Sequence, residues 1–180
     1  MLAHQNSIYP SDSYRMNFIT NHDENSWDGS EFKRLGQGVE AFAVLTYTLP
    51  GMPLIYTGQE TGMDRELEFF EKDTPPDWTI NPWFDFYKKL NELKHGQEAL
   101  AAGTKGGEMV RYPTESDDLY IFSRTHGNST VLVYLNLNGA PSAITYKENA
   151  PVGSYRNFFT ATQEELPSRL DAWEYRVYVK

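Results

Sequence analysis

The sequence predicts an α/β segment followed by an all-β segment. The first holds two strand–helix units of a larger parallel sheet or barrel, and the second is a small antiparallel β-sandwich. Three observations predict this. Up to about Gly103, apolar residues recur at helical spacing between two short strand-like runs. Beyond Gly103, alternation with a period of two takes over. The chain has 180 residues, too few for a complete (β/α)8 barrel of ~250. The change of pattern divides the chain into domains 1–103 and 104–180.

Met16-Asn17-Phe18-Ile19-Thr20 reads as a short strand ending in a polar cluster. From Glu31 to Leu49, the apolar residues Phe32, Leu35, Val39, Phe42, Leu45 and Leu49 fall at three- and four-residue steps, the stripe of an amphipathic helix. Ser30 suits its N-cap, and Pro50-Gly51 stops it. Pro53-Leu54-Ile55-Tyr56-Thr57 is too short for a helix and apolar on both faces, as a buried parallel strand is. Gly58 to Gly62 forms a turn. A loop to about Ile80 carries Phe69, Phe70 and Trp78 among charges and prolines. Asn81-Pro82 starts a second helix with a capping side chain and a proline at its first position. Trp83, Tyr87, Leu90 and Leu93 form its stripe, with Gly96 at C′.

The remainder reads as antiparallel strands. Leu119–Arg124 and Thr130–Leu137 flank a His126-Gly127-Asn128 turn, with Val131, Val133, Leu135 and Leu137 on one face. Ala143–Tyr146 and Tyr155–Thr160 supply short strands. Trp173, Tyr175, Val177 and Val179 alternate with polar residues in a closing strand.

Composition excludes several function classes. With 16 Lys+Arg against 25 Asp+Glu the net charge is −9, which argues against a nucleic-acid or anionic-membrane partner. No run of ~18 apolar residues could span a membrane. The absence of cysteine excludes disulfides, thiolate–zinc sites and a cysteine nucleophile. Met1 to Asn6 lacks the basic and apolar regions of a signal peptide, so a soluble chain is expected. His4, His95 and His126 have no partner at ligand spacing, so no metal ligand is assigned.

The richest polar cluster is Asn21-His22-Asp23-Glu24-Asn25, directly after the first strand. In a parallel βα architecture, the C-terminal strand ends face the ligand. A carboxylate, an imidazole and an amide there can bind several hydroxyls, and the ionised acceptor makes the stronger bonds. Trp27 offers an apolar face to a sugar ring. Asn and Asp also cap turns and helix starts, and spacing alone leaves both readings open. Trp27, Trp78, Phe69, Phe70 and Trp83 suit sugar stacking or a core alike.

Met16-Asn17-Phe18-Ile19-Thr20-Asn21-His22-Asp23 resembles the last conserved motif of the α-amylase family of glycoside hydrolases (family 13), in which the seventh barrel strand ends in Asn-His-Asp. Pro50 to Glu60, Pro-Gly-Met-Pro-Leu-Ile-Tyr-Thr-Gly-Gln-Glu, resembles the family's eighth strand and its exit. The helix from Asn81 resembles the last barrel helix, and the β-rich tail the C-terminal sandwich. The resemblance therefore implies the last two βα units of a (β/α)8 TIM barrel followed by a C-terminal antiparallel β-sandwich.

It also implies a retaining glycosidase acting on α-1,4-glucosidic bonds of starch, glycogen or maltooligosaccharides. Three carboxylic acids share that work in the family: a nucleophilic Asp, an acid Glu, and the Asp of Asn-His-Asp, which binds sugar hydroxyls. By resemblance Asp23 is the transition-state stabiliser, His22 a hydroxyl contact, and Asn21 a support for their geometry, with Trp27 substrate-binding. The nucleophile and acid motifs have no counterpart in residues 1–15, so this chain alone is expected to be inactive. Glu60 is expected to be structural, and Glu24 takes no role. No cofactor is expected in this chain; calcium is common in the family, with its usual ligands largely outside these residues. The expected partner is an α-glucan, with self-association through exposed barrel edges. The alternatives are a non-catalytic carbohydrate-binding or assembly module and a fragment of a related α-glucan transglycosylase.

Overall fold

The computed structural model describes residues 9–10, 13–74 and 76–180. The sequence expectations on Met1 to Asn6, including His4, lie outside these residues. Strand β1 (Met16–Asn17) pairs in parallel with β2 (Met52–Pro53), Met16 opposite Met52 and Asn17 opposite Pro53. Asn17 does more than its ladder share: its side-chain amide donates to the carbonyls of Thr46 and Pro50. Gly51 permits the close approach. Its φ is +126°, and a Cβ there would stand 2.5 Å from the Arg15 carbonyl oxygen.

Both strands are shorter than the sequence predicts. Phe18–Thr20 and Leu54–Thr57 run on without a further strand to pair with among the described residues. The single helix predicted from Glu31 to Leu49 is also corrected. It forms as α1 (Glu31–Leu35) and α2 (Val39–Thr48), joined by a tighter Gly36–Gly38 turn. Gly36 at φ +54° and Gly38 supply the break, because glycine tolerates that backbone while weakening a continuous helix. Ser30 caps α1 as expected, its hydroxyl accepting the Lys33 N–H at 3.1 Å.

Helix α3 (Pro82–Gly96) begins where Asn81-Pro82 predicts. Asn81 accepts the N–H groups of Trp83 and Phe84, and its amide donates to the Thr61 carbonyl at 2.8 Å. Gly96 is the last helical residue and Gln97 the cap, so the helix ends two positions later than a C′ glycine at 96 implies. Asn81→Ala removes both the cap and the tie to Thr61. It should lower stability by roughly 1 kcal/mol or more, measured as a lower thermal midpoint.

The antiparallel part is a five-stranded sheet in the order β3 (Glu108–Arg111), β4 (Leu119–His126), β5 (Ser129–Asn136), β9 (Tyr175–Val179), β7 (Arg156–Asn157). A ribbon of β6 (Ser142–Ala143) and β8 (Arg169–Leu170) completes it. β6 and β7 are shorter than the predicted Ala143–Tyr146 and Tyr155–Thr160. Tyr146 instead makes an isolated bridge to Thr114. The β4–β5 hairpin forms where predicted, but its strands reach further into the turn: His126 pairs with Ser129, which leaves Gly127-Asn128 as a two-residue connection.

Alternation sorts the sheet's residues between two cores. Phe122, Val131, Val133, Leu135, Val177 and Val179 face the helices, packing with Val39, Val44, Tyr47, Tyr87, Leu90 and Leu93. Leu119, Ile121, Leu132, Tyr134 and Tyr178 face the other way, against Leu170 of the ribbon, Ile144 and Leu166. The mostly antiparallel arrangement, with a ribbon over one face, is consistent with a sandwich. Its other face joins residues on both sides of Gly103 into one core.

Candidate functional site

Because β1 and β2 run parallel and side by side, the chain leaves both at the same end. From β1 it enters Asn21-His22-Asp23 after the buried Ile19 and Thr20. From β2 it enters the Gly58–Glu60 turn.

Asn21 has the capping role that the polar cluster suggests. Its side-chain oxygen accepts the Glu24 N–H at 2.8 Å, and its carbonyl accepts the Asn25 N–H. A short, wide helical turn, Glu24–Asp28, follows. His22 and Asp23 stay at the surface, with side chains 64% and 63% exposed and His22 Nε2 3.6 Å from Asp23 Oδ2. Among the described residues Asp23 makes no ion pair with a lysine or an arginine. Its carboxylate lone pairs are therefore open to hydroxyl donors.

Arg34 holds this strand exit in place, a role the sequence did not signal. Its guanidinium donates to the carbonyls of Ile19 and Gly29 and to the Glu24 carboxylate at 3.3 Å. Glu24 is thus committed to an ion pair. Asn25, nearly wholly buried, clasps the loop after β2: it donates to the Arg65 carbonyl and accepts the Leu67 N–H. Ser26 donates to the Leu67 carbonyl, Ser30 to Asp64, and Lys33 pairs with Glu66. Within the loop, Asp73 accepts the Glu68 N–H and pairs with Arg65; these bonds hold its carboxyl at about 2. Glu31, buried beside Ser30, is the opposite case, because burial pushes its carboxyl above the usual range.

The clasp carries Phe69 and Phe70 to Trp27. Ring centroids lie 5.4 Å apart for Trp27–Phe69 and 4.8 Å for Phe69–Phe70. His22 stacks on Phe69 at 6.1 Å. Trp83 is elsewhere, packed edge-on against Phe32 and Phe86 in the core. Trp78 is exposed and lines a groove of about 730 Å³ with Ile55, Tyr56, Glu60, Phe84 and His95. Gln59 orders the turn above this groove, accepting the Tyr56 N–H and donating to the Tyr87 hydroxyl. One carboxylate oxygen of Glu60 is buried without a hydrogen-bond partner among the described residues. His95 and His126 remain apart from any site at Asp23, and no cluster suited to a metal ion occurs among the described residues.

No family model matches the chain. Individual relatives do. It is 31% identical to α-amylase MalA of Haloarcula japonica over 141 residues, 76% of this chain and 20% of that protein. It is 32% identical to a cyclomaltodextrin glucanotransferase of Bacillus sp. (strain 1-1) over 167 residues, 87% of this chain and 21% of that protein. The chain therefore spans about a fifth of the length of these relatives. In fold it is similar to the maltogenic α-amylase AmyB of Thermotoga neapolitana, with a TM-score of 0.82 at 21% identity, covering 99% of this chain and 44% of that one. The cyclomaltodextrin glucanotransferase CldA follows the same fold at a TM-score of 0.72, 19% identity, 99% of this chain and 38% of that one.

Sequence and fold thus define a chain of the glycoside hydrolase class. It belongs to the α-amylase family, glycoside hydrolase family 13, and corresponds to a C-terminal portion of such enzymes.

Proposed function

We propose that this chain is part of a retaining α-amylase-type enzyme that hydrolyses α-1,4-glucosidic bonds in starch, glycogen or maltooligosaccharides. Residues 1–103 supply the last two βα units of its catalytic barrel, and residues 104–180 its C-terminal β-sandwich. Asp23 binds sugar hydroxyls and stabilises the oxocarbenium-like transition state. His22 contacts a hydroxyl of the same ring, Asn21 sets the geometry of the turn, and Trp27 lies against the sugar.

One observation carries this reading. The parallel β1–β2 pair sends Asn21-His22-Asp23 and Gly58–Glu60 out at one end, with the Asp23 carboxylate exposed there. A retaining glycosidase needs a nucleophile and an acid ~5–5.5 Å apart. Asp23 and Glu24 cannot fill both roles, because Glu24 is tied to Arg34. The 180-residue chain should therefore release no reducing sugar from soluble starch. Release that Asp23→Ala abolishes would overturn this division of labour.

A related α-glucan transglycosylase is the second reading, favoured by the similarity to cyclomaltodextrin glucanotransferases. Among the described residues the β1–β2 pair has no third strand, and Met16 and Met52 are exposed on it. Both features support self-association of the isolated chain through these edges.

A further inference from the structure

We propose that Trp27, Phe69 and Phe70 form a preorganised stacking platform for a glucosyl ring of an α-glucan, next to the ring held by His22 and Asp23. This rests on the α-glucan reading above and extends it to two residues of the loop after β2.

The first argument is exposure. Trp27, Phe69 and Phe70 are 63%, 42% and 81% exposed, yet they touch one another in a continuous cluster. Aromatic rings usually gain by leaving water, and clustered apolar rings on a surface mark a ligand site. Trp83 and Phe86 show the alternative in the same chain, since both pack into the core.

The second argument is how the cluster is held. Trp27 and Phe69 are distant in sequence and are joined by polar bonds. The buried Asn25 side chain binds the backbone of Arg65 and Leu67, and Ser26 binds the Leu67 carbonyl. The Arg65–Asp73 pair and the bond from the Glu68 N–H to Asp73 then fix the loop on either side of Phe69-Phe70. A platform fixed before the ligand arrives loses less entropy on binding, which is where preorganisation gains affinity.

The third argument is position and chemistry. Phe69 stacks on His22, so the platform is continuous with the Asp23 site. Exposed Glu68 and Glu71 flank the two phenylalanines in the chain. Apolar ring faces next to carboxylate acceptors match a sugar, which presents C–H faces and a rim of hydroxyls. Three rings are too small a patch for a stable protein interface.

The test is affinity electrophoresis of the 180-residue chain in native gels containing soluble starch, supported by titration with maltoheptaose. Phe70→Ala should weaken retention by roughly fivefold to tenfold, the scale of one lost aromatic contact. Phe70→Tyr should retain binding, and neither variant should move the thermal midpoint, because Phe70 is not in the core. Asp23→Asn is run beside them. If Asp23→Asn weakens binding and Phe70→Ala does not, the platform is overturned and the α-glucan reading stands. If Phe70→Ala weakens binding and Asp23→Asn does not, the platform is supported, and Asp23 keeps its role, because an amide still accepts a sugar hydroxyl in the ground state. No retention of the unmodified chain, or equal retention in gels of a β-linked glucan, overturns the platform.

Discussion

Replacing Arg124 with methionine should destabilise the chain by about 3–5 kcal/mol, the range seen when one partner of a buried charged network is removed. Arg124 is 1% exposed, and it lies on the helix-facing side of β4 with Phe122. Its guanidinium donates to the carbonyls of Gly107, Ala101 and Leu49, with the Thr48 carbonyl at 3.5 Å. Thr48 and Leu49 end α2, where carbonyls have no helical N–H to bind and where the helix dipole favours a cation. One side chain therefore satisfies backbone groups from α2, from the connection after α3, and from the entry to β3. Burial lowers its pKa to about 10, so it remains charged at neutral pH. Methionine keeps much of the apolar stem but leaves those carbonyls buried without donors, each costing about 1–3 kcal/mol. Arg124→Lys should recover part of the loss, because an ammonium cannot reproduce the fork. The measurement is the urea midpoint at unchanged slope. A loss below about 1 kcal/mol would mean that water reaches the carbonyls and Arg124 is dispensable.

Asp23→Asn, made in the retaining α-amylase-type enzyme proposed above, should lower kcat by about 10²–10³-fold, the cost of removing one preorganised stabiliser of a transition state. The change is nearly isosteric and removes a charge. An amide still accepts a hydrogen bond from a sugar hydroxyl, but it gives less support to a developing positive charge at the anomeric carbon. KM should therefore change less than kcat, the pattern of an interaction that strengthens at the transition state. Stability should stay within about 0.5 kcal/mol of the parent, since the side chain is largely exposed and, among the described residues, lies near the His22 imidazole alone. A fall in rate below tenfold, or an equal rise in KM alone, would remove Asp23 from the role proposed for it.

The parts of the fold that were legible in the sequence are those with local causes. The β4–β5 hairpin announces itself by alternation around Gly127-Asn128, and α3 by Asn81-Pro82. The division of Val131, Val133 and Leu135 from Leu132 and Tyr134 is the strand period itself. The break at Gly36–Gly38 was missed because the apolar stripe continues across it, so the periodicity hides a backbone interruption. In the candidate site, the polar cluster at the end of the first strand was legible through its position and motif, and so was the capping of the following turn by Asn21. Arg34, the Asn25 clasp and Arg124 were not. Each acts on backbone carbonyls or N–H groups far away in sequence, and no residue type or spacing records such a partner.

The strand order sets a problem for the nascent chain. β9 is synthesised after β6, β7 and β8, yet it is the strand that joins β5 to β7. β5 leaves the ribosome before β9 does, and in that interval it carries apolar residues on both faces and one unpaired edge. The helices made earlier can cover only the face of Val131, Val133 and Leu135. An exposed edge of that kind pairs readily with another copy of itself. Chaperone demand during translation should therefore peak in this interval and fall once Tyr175–Val179 slides into place.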